Sequence, residues 1–186
     1  INLATMFAEH SRVPIADRPA HLRRIIQAVL PPPPLPSEFG DAAHDLRPRI
    51  WSREQMVRGG LARVPPHHLV GEHLVATLVF DLPSSVRTIA SEGLENWGVS
   101  YEDAFDVARN QLAGDEFKFM AAGTSIFCPA NDDSYDASRL LLVDVIRQLP
   151  TKGKTVASVP SRDQLLIAGA GRNSRSQISA AGPAYN

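Results

Sequence analysis

Cysteine is almost missing from this chain of 186 residues: Cys128 stands alone. A single thiol excludes an internal disulfide framework and a cysteine-rich zinc site, and it suits a reducing, cytoplasmic setting. Long apolar runs are missing too. The longest, such as 140–143, fall far short of the roughly 20 residues a membrane span requires, so no membrane insertion is expected. Nothing resembles a signal peptide, and a chain that begins at Ile1 is expected to have lost its true start. There is no solenoid repeat and no GxSxG elbow for serine hydrolase chemistry. A basic excess is also absent. The net charge is −1, and no segment combines clustered basic residues with aromatics, so nucleic acid is not an expected partner.

What is present is ordinary globular material, 44% hydrophobic and 21% charged. The length fits one domain able to bury roughly 70% of its unfolded surface. That unit is expected over 1–171, with a helical part at 1–60, a proline-rich spacer at 31–36 and a polar tail at 172–186. Charge is segregated along it. Residues 1–73 carry nine basic and seven acidic groups, 74–149 carry five and twelve, and 150–186 carry five and one. The basic end is therefore expected to lie against the acidic middle, in the same subunit or a neighbour.

The N-terminal NLATMFAEH (2–10) places Leu3, Met6 and Phe7 at helical spacing. A clearer helix follows, with Asp17 as a cap, Pro19 in the first turn and a stripe of Leu22, Ile25, Ile26, Val29 and Leu30. PPPPLP (31–36) ends it as a stiff polyproline II segment, whose PxxP spacing could also serve a proline-reading domain. Ser52 and Gln55 form a capping box before Gly59-Gly60. HLVATLVFDLP (73–83) changes to a two-residue period with apolar residues on both faces, which marks a central strand; SVRTIA is a short neighbour. Two helices come next, one stopped by Gly98. The other is capped by Ser100 with Asp103, and its buried stripe is Tyr101, Ala104, Phe105, Ala108 and Leu112. FKFMAAGTSIFCPA reads as two strands turning at Gly123, and TVASVPSRDQLLIAGAG as a hairpin turning at Pro160–Asp163. Strand pairs on short turns imply a largely antiparallel sheet with helices packed on it, an α+β fold.

NDDSYDASRLLLVDVIRQL (131–149) raises the sharpest question of chemistry. Asp132, Asp133 and Asp136 could hold a metal, with His67 or His68, in a hydrolase or phosphoryl-transfer enzyme. An EF-hand loop needs Gly at its sixth position and Glu at its twelfth. Counting from Asp132 gives Ala137 and Val143, and from Asp133 it gives Ser138 and Asp144. No phosphate-cradling loop accompanies them. Capping demands less: Asp133 as N-cap and Asp136 at N3 meet free amides and the positive end of the dipole, with a cap typically contributing about 1 kcal/mol. One helix over 134–149 is predicted, with Leu140, Leu141, Val145 and Leu149 buried, and no metal.

The remaining candidates are weaker still. All six histidines (His10, His21, His44, His67, His68 and His73) precede residue 74, and Pro65-Pro66 precludes a helical HxxxH pair. Cys128 ends an apolar strand with no neighbour in sequence to lower its pKa. GAGRNSR (169–175) lacks the third glycine of a dinucleotide loop, and too little chain follows for a βαβ unit, so no cofactor is expected. Arg162 and Asp163 in VPSRD can form a plain turn or present a fork to a partner. In the tail, Arg172, Arg175, Ile178 and Tyr185 are the candidate anchors for a partner or a second copy.

Three stretches, NWGVSYEDAFDVARNQL (96–112), NDDSYDASRLLL (131–142) and VPSRDQLLIAG (159–169), together resemble the YtpQ-like family of bacterial proteins. The resemblance implies one continuous domain of soluble bacterial origin, and no activity or site. With every catalytic template failing on spacing, the chain is read as a non-enzymatic module that binds a protein partner or its own copies. The alternative is the metal-dependent enzyme built on Asp132, Asp133 and Asp136.

Overall fold

The computed structural model describes residues 11, 13–29, 33–58, 64–82, 85–122, 126–131 and 133–170. The helix expected at 2–10, Gly59-Gly60, Gly123, Asp132 and the tail 172–186 lie outside them. The described residues form an α+β structure of two antiparallel four-stranded sheets with helices packed on them.

Strand β3 (Leu74–Leu82) is the axis of the first sheet, as its two-sided apolar sequence requires; Val75 through Phe80 are all buried. Strand β1 (Leu46–Ser52) runs antiparallel along one side, from Leu46 opposite Phe80 to Ser52 opposite Leu74. The other side is shared. β2 (His67–Val70) covers Leu74–Thr77, and β4 (Ser85–Thr88) covers Val79–Leu82. β1 lies inside the part read as helical. Its sequence LRPRIWS alternates charge with apolar residues, and Pro48 is tolerated because β1 is an edge strand.

Alternation sorts the side chains of this sheet. Leu46, Leu78 and Phe80 pack with Ala42 of helix α2 (Phe39–Ala42), Leu94 of α4 (Ser91–Trp97) and Ala104 and Ala108 of α5 (Tyr101–Gly114). The predicted signals hold here. Gly98 ends α4 at φ 65°, and Ser100 Oγ accepts the Asp103 amide at 3.1 Å while donating to the Asp103 carboxylate at 2.7 Å. Proline-rich residues 33–36 are no free spacer. Trp97 Nε1 donates to the Pro36 carbonyl at 2.8 Å, Arg87 reaches the Pro33 carbonyl, and Leu35 packs into the core. Helix α1 (Arg18–Val29) forms where expected, but Leu22 and Ile26 of its stripe are 46% and 47% exposed.

The second sheet has the order β5 (Phe119–Ala122), β6 (Ile126–Pro129), β8 (Gln164–Gly169), β7 (Thr155–Ser161). Between the sheets the single helix expected over 134–149 is replaced. A 3-10 turn at Ala137–Leu141 gives way at Leu142 (φ −89°, ψ 60°) to the short helix α6 (Val143–Arg147). The buried positions shift accordingly: Leu142 and Ile146 are buried, Leu140, Leu141 and Leu149 are half-buried, and Val145 is exposed. The 3-10 turn touches β1, β7, β8 and α5, so it sits where the sheets meet.

The β7–β8 hairpin turns at Arg162-Asp163, inside the expected Pro160–Asp163, and Val159 and Pro160 together oppose Leu165 in a bulge. Proline has no amide for the ladder, and a bulge places it without loss while sharpening the local twist. At the other end, Gly169 leaves no room for a side chain: a Cβ there would lie 2.0 Å from the Lys152 carbonyl oxygen. Gly169→Ala should therefore cost about 1–3 kcal/mol or more in urea unfolding. Gly40→Ala, where a Cβ meets nothing within 4 Å, serves as the comparison and should stay within about 0.5 kcal/mol of the parent.

Candidate functional site

The aspartates of the 131–136 stretch converge on an arginine. Arg139 is 0% exposed, and its guanidinium is held by two carboxylates. Nη1 donates to Asp133 Oδ1 at 2.9 Å and to Asp136 Oδ1 at 2.8 Å, while Nη2 meets Asp133 Oδ2. The Phe117 ring lies under it, 4.8 Å from its central carbon. Asp136 and Arg139 are three residues apart, the spacing that a 3-10 turn brings into line. Asp133 also accepts the Tyr135 amide at 2.9 Å across Ser134, which takes a left-handed φ of 64°. The expected caps are thus corrected. Neither carboxylate caps α6, and the pair neutralises a buried cation and shapes the turn. Sequence spacing could have paired Asp136 with Arg139, but not the burial that makes the pairing obligatory.

Burial works to raise the pKa of Asp133, but the Arg139 and Tyr135 hydrogen bonds and the Arg139 charge outweigh it and hold the carboxyl below the ordinary range. Asp132 lies outside the described residues. Among the described residues no three His, Cys, Asp or Glu side chains converge as metal ligands. His67 and His68 point to opposite faces of β2. His67 Nδ1 lies 2.9 Å from the Pro65 carbonyl oxygen, and His68 packs on Tyr101 and Phe105 at 4.9 and 4.5 Å. Burial pushes the Cys128 thiol above its usual value, away from nucleophile chemistry.

A second polar group occupies the face of the first sheet turned away from α5. β1 supplies Arg47, Arg49 and Trp51 there, and β3 supplies Thr77 and Asp81. Arg47 is satisfied by the Asp115 carboxylate at 3.3 Å and the His44 carbonyl at 2.7 Å. Trp51 Nε1 donates to Thr77 Oγ1 at 2.8 Å. Arg49, 3% exposed, lies over the Trp51 ring at 5.4 Å. Burial pushes Asp81 up, and burial together with Asp81 pushes up the neighbouring Tyr135 hydroxyl.

This face opens into a groove of about 600 Å³ between the first sheet and the bulged β7–β8 hairpin. Trp51, Thr77 and Thr88 of the first sheet line it, together with Gln55 and Met56 of α3 (Arg53–Arg58). Val159, Pro160 and Arg162 of the hairpin line it too. Of the residues singled out from sequence, Arg162 lines the groove and Asp163 pairs with it at 3.2 Å. Arg172, Arg175, Ile178 and Tyr185 lie outside the described residues. Trp51, Thr77 and Arg49 were missed, because their convergence depends on β1, a strand not recognised from sequence, pairing with β3.

Breaking the Arg139 cluster should cost far more than a lost cap. Asp133→Ala is expected to destabilise the fold by about 3 kcal/mol, against the ~1 kcal/mol of a cap, because a fully buried guanidinium loses half its neutralisation. Since the folded pKa of Asp133 is depressed, its contribution is complete above the ordinary carboxylate value of 3.8 and is lost as pH falls through the lower folded value. Urea midpoints measured from pH 7 to pH 2 should fall at the acid end in the parent and fall less in Asp133→Ala.

Comparisons with known proteins place the chain near bacterial proteins of no assigned activity. It is 36% identical over 107 residues to a UPF0354 protein of Listeria innocua, an alignment covering 53% of this chain and 40% of the relative. UPF0354 proteins of Listeria welshimeri and Listeria monocytogenes align over the same shares at 34% and 33% identity. The chain thus spans well under half the length of these relatives. No family model matches. No solved structure matches. The chain is similar to UPF0354 proteins of Listeria over about half its length.

Proposed function

We propose that this chain is a non-enzymatic binding module whose groove receives an extended segment of a protein partner. The observation that carries the reading is the groove itself, a cleft of about 600 Å³ with apolar walls and an arginine at its lip. Ligand clefts in this size range combine mostly apolar lining with a few placed polar groups. Trp51 and Thr77 belong to the first sheet and the hairpin wall is bulged at Pro160, so strands hold that part of the lining while α3 holds Gln55 and Met56. The resemblance to the YtpQ-like family and the similarity to UPF0354 proteins are read as one relationship. The cytoplasm is the location proposed for the module, on its single cysteine Cys128. In this reading Arg162 and Asp163 belong to the binding surface, and the tail residues Arg172, Arg175, Ile178 and Tyr185 extend it.

The test compares two exposed positions. Gln55→Trp fills the mouth of the groove, while Asp144→Trp adds the same bulk on α6. A photo-crosslinker at Ser161 of the full chain should capture a partner in the parent and in Asp144→Trp. Gln55→Trp should reduce that capture at least tenfold. Equal capture by both variants would remove the groove from the binding surface.

A further inference from the structure

We infer that the groove reads a carboxylate, through Arg49 behind its Trp51 and Thr77 lining and through Arg162 on the lining itself. The inference begins from a difference among three arginines. Arg139 is neutralised by two carboxylates, and Arg47 by Asp115 with backbone carbonyls. Arg49 is nearly as buried as Arg139 and shares with it a buried, unpartnered Nε, yet no hydrogen bond or ion pair holds Arg49 among the described residues. Arginine cannot escape the cost of burial by losing its proton, so the charge stays and calls for an anion.

The surroundings say where that anion sits. The guanidinium rests on Trp51, its strand β1 is paired so that Thr77 stands opposite, and Arg162 acts on it through space. All three neighbours line the groove, and Arg49 stands behind them rather than on the lining. Arg162 carries the same sign and opposes the Arg49 charge, although its own charge is paired with Asp163 at 3.2 Å. Tyr135, Asp163 and Asp81 favour the Arg49 charge from a distance and none of them pairs with it. The second oxygen of Asp163 is itself buried and unpartnered, so the hairpin tip holds its carboxylate apart from Arg49. A guanidinium fork matches a planar carboxylate with two parallel hydrogen bonds, and the apolar groove walls suit the chain that bears it. The inference deepens the binding-module reading and rests on it only for its use. The carboxylate can come from an Asp or Glu side chain or from a chain end.

The experiment follows the arginine Nε–H signals of the full, 15N-labelled chain by NMR, at constant ionic strength. The Arg49 signal is the one absent from Arg49→Lys. Propionate should shift it saturably, and propionamide, of the same shape without charge, should not. In Arg162→Ala the propionate affinity should fall about threefold or more. Capped peptides carrying one Glu, and Gln peptides with a free C-terminus, distinguish the side-chain source from the chain-end source. No saturable shift with propionate, or an equal shift with propionamide, overturns the inference; a shift with inorganic phosphate and none with propionate overturns the carboxylate assignment. Because Arg49→Lys can perturb the fold, Arg49→Met is read in parallel by thermal unfolding. It should match or exceed the parent melting temperature without anion and lose the propionate-dependent rise. Loss of the propionate response with partner capture still blocked by Gln55→Trp would defeat the carboxylate alone. A propionate response with capture unaffected by Gln55→Trp would defeat the module reading alone.

Discussion

The Arg139 guanidinium, buried between Asp133 and Asp136, is the interaction on which the junction of the two sheets depends. A cation removed from water is stable only while its partners stay in place. That requirement selects the 3-10 turn, which aligns Asp136 with Arg139 and lets Asp133 reach back across Ser134. The same turn carries Ala137 into contact with Ile50, Ala76 and Phe105 of the first sheet and its helix, and Leu140 toward Leu165 and Ile167 of the second. One electrostatic constraint thus sets the relation between two hydrophobic clusters. Either cluster alone is non-directional and would tolerate several arrangements.

The bulge in β7 plays the complementary role at the far end of the hairpin. Val159 belongs to the clusters on both sides of the junction, and its neighbour Pro160 stands on the groove wall. The hairpin is therefore rooted in the second sheet while its tip leans over the first. A groove arises because the turn holds the sheets together at the 3-10 segment and the bulge holds the tip apart from Trp51 and Thr77. Its polar content follows from β1, an edge strand that places Arg47 and Arg49 at alternate positions on one face.

Local signals were legible where the physics is local. The Ser100 cap, the Gly98 stop, the two-sided strand β3 and the stripe of α5 all rest on neighbours within a few residues, and all appear in the structure. Signals failed where burial decided. The stripe of α1 predicts a helix correctly yet leaves Leu22 and Ile26 half exposed, because amphipathicity does not specify a partner. The 134–149 segment has helical spacing and aspartates suited to capping, but Arg139 claims both carboxylates first.

By itself the sequence determined an α+β chain with a capped helix 101–114, a central strand near 74–82 and antiparallel hairpins, since caps, turns and periodicity act over a few residues. Only the tertiary structure decided that Arg139 is neutralised, that Arg49 is not, and that Trp51, Thr77 and Arg162 share one groove. Those outcomes depend on pairings between residues far apart along the chain. Burial, the quantity that makes a charge costly and a groove selective, is a property of the folded whole.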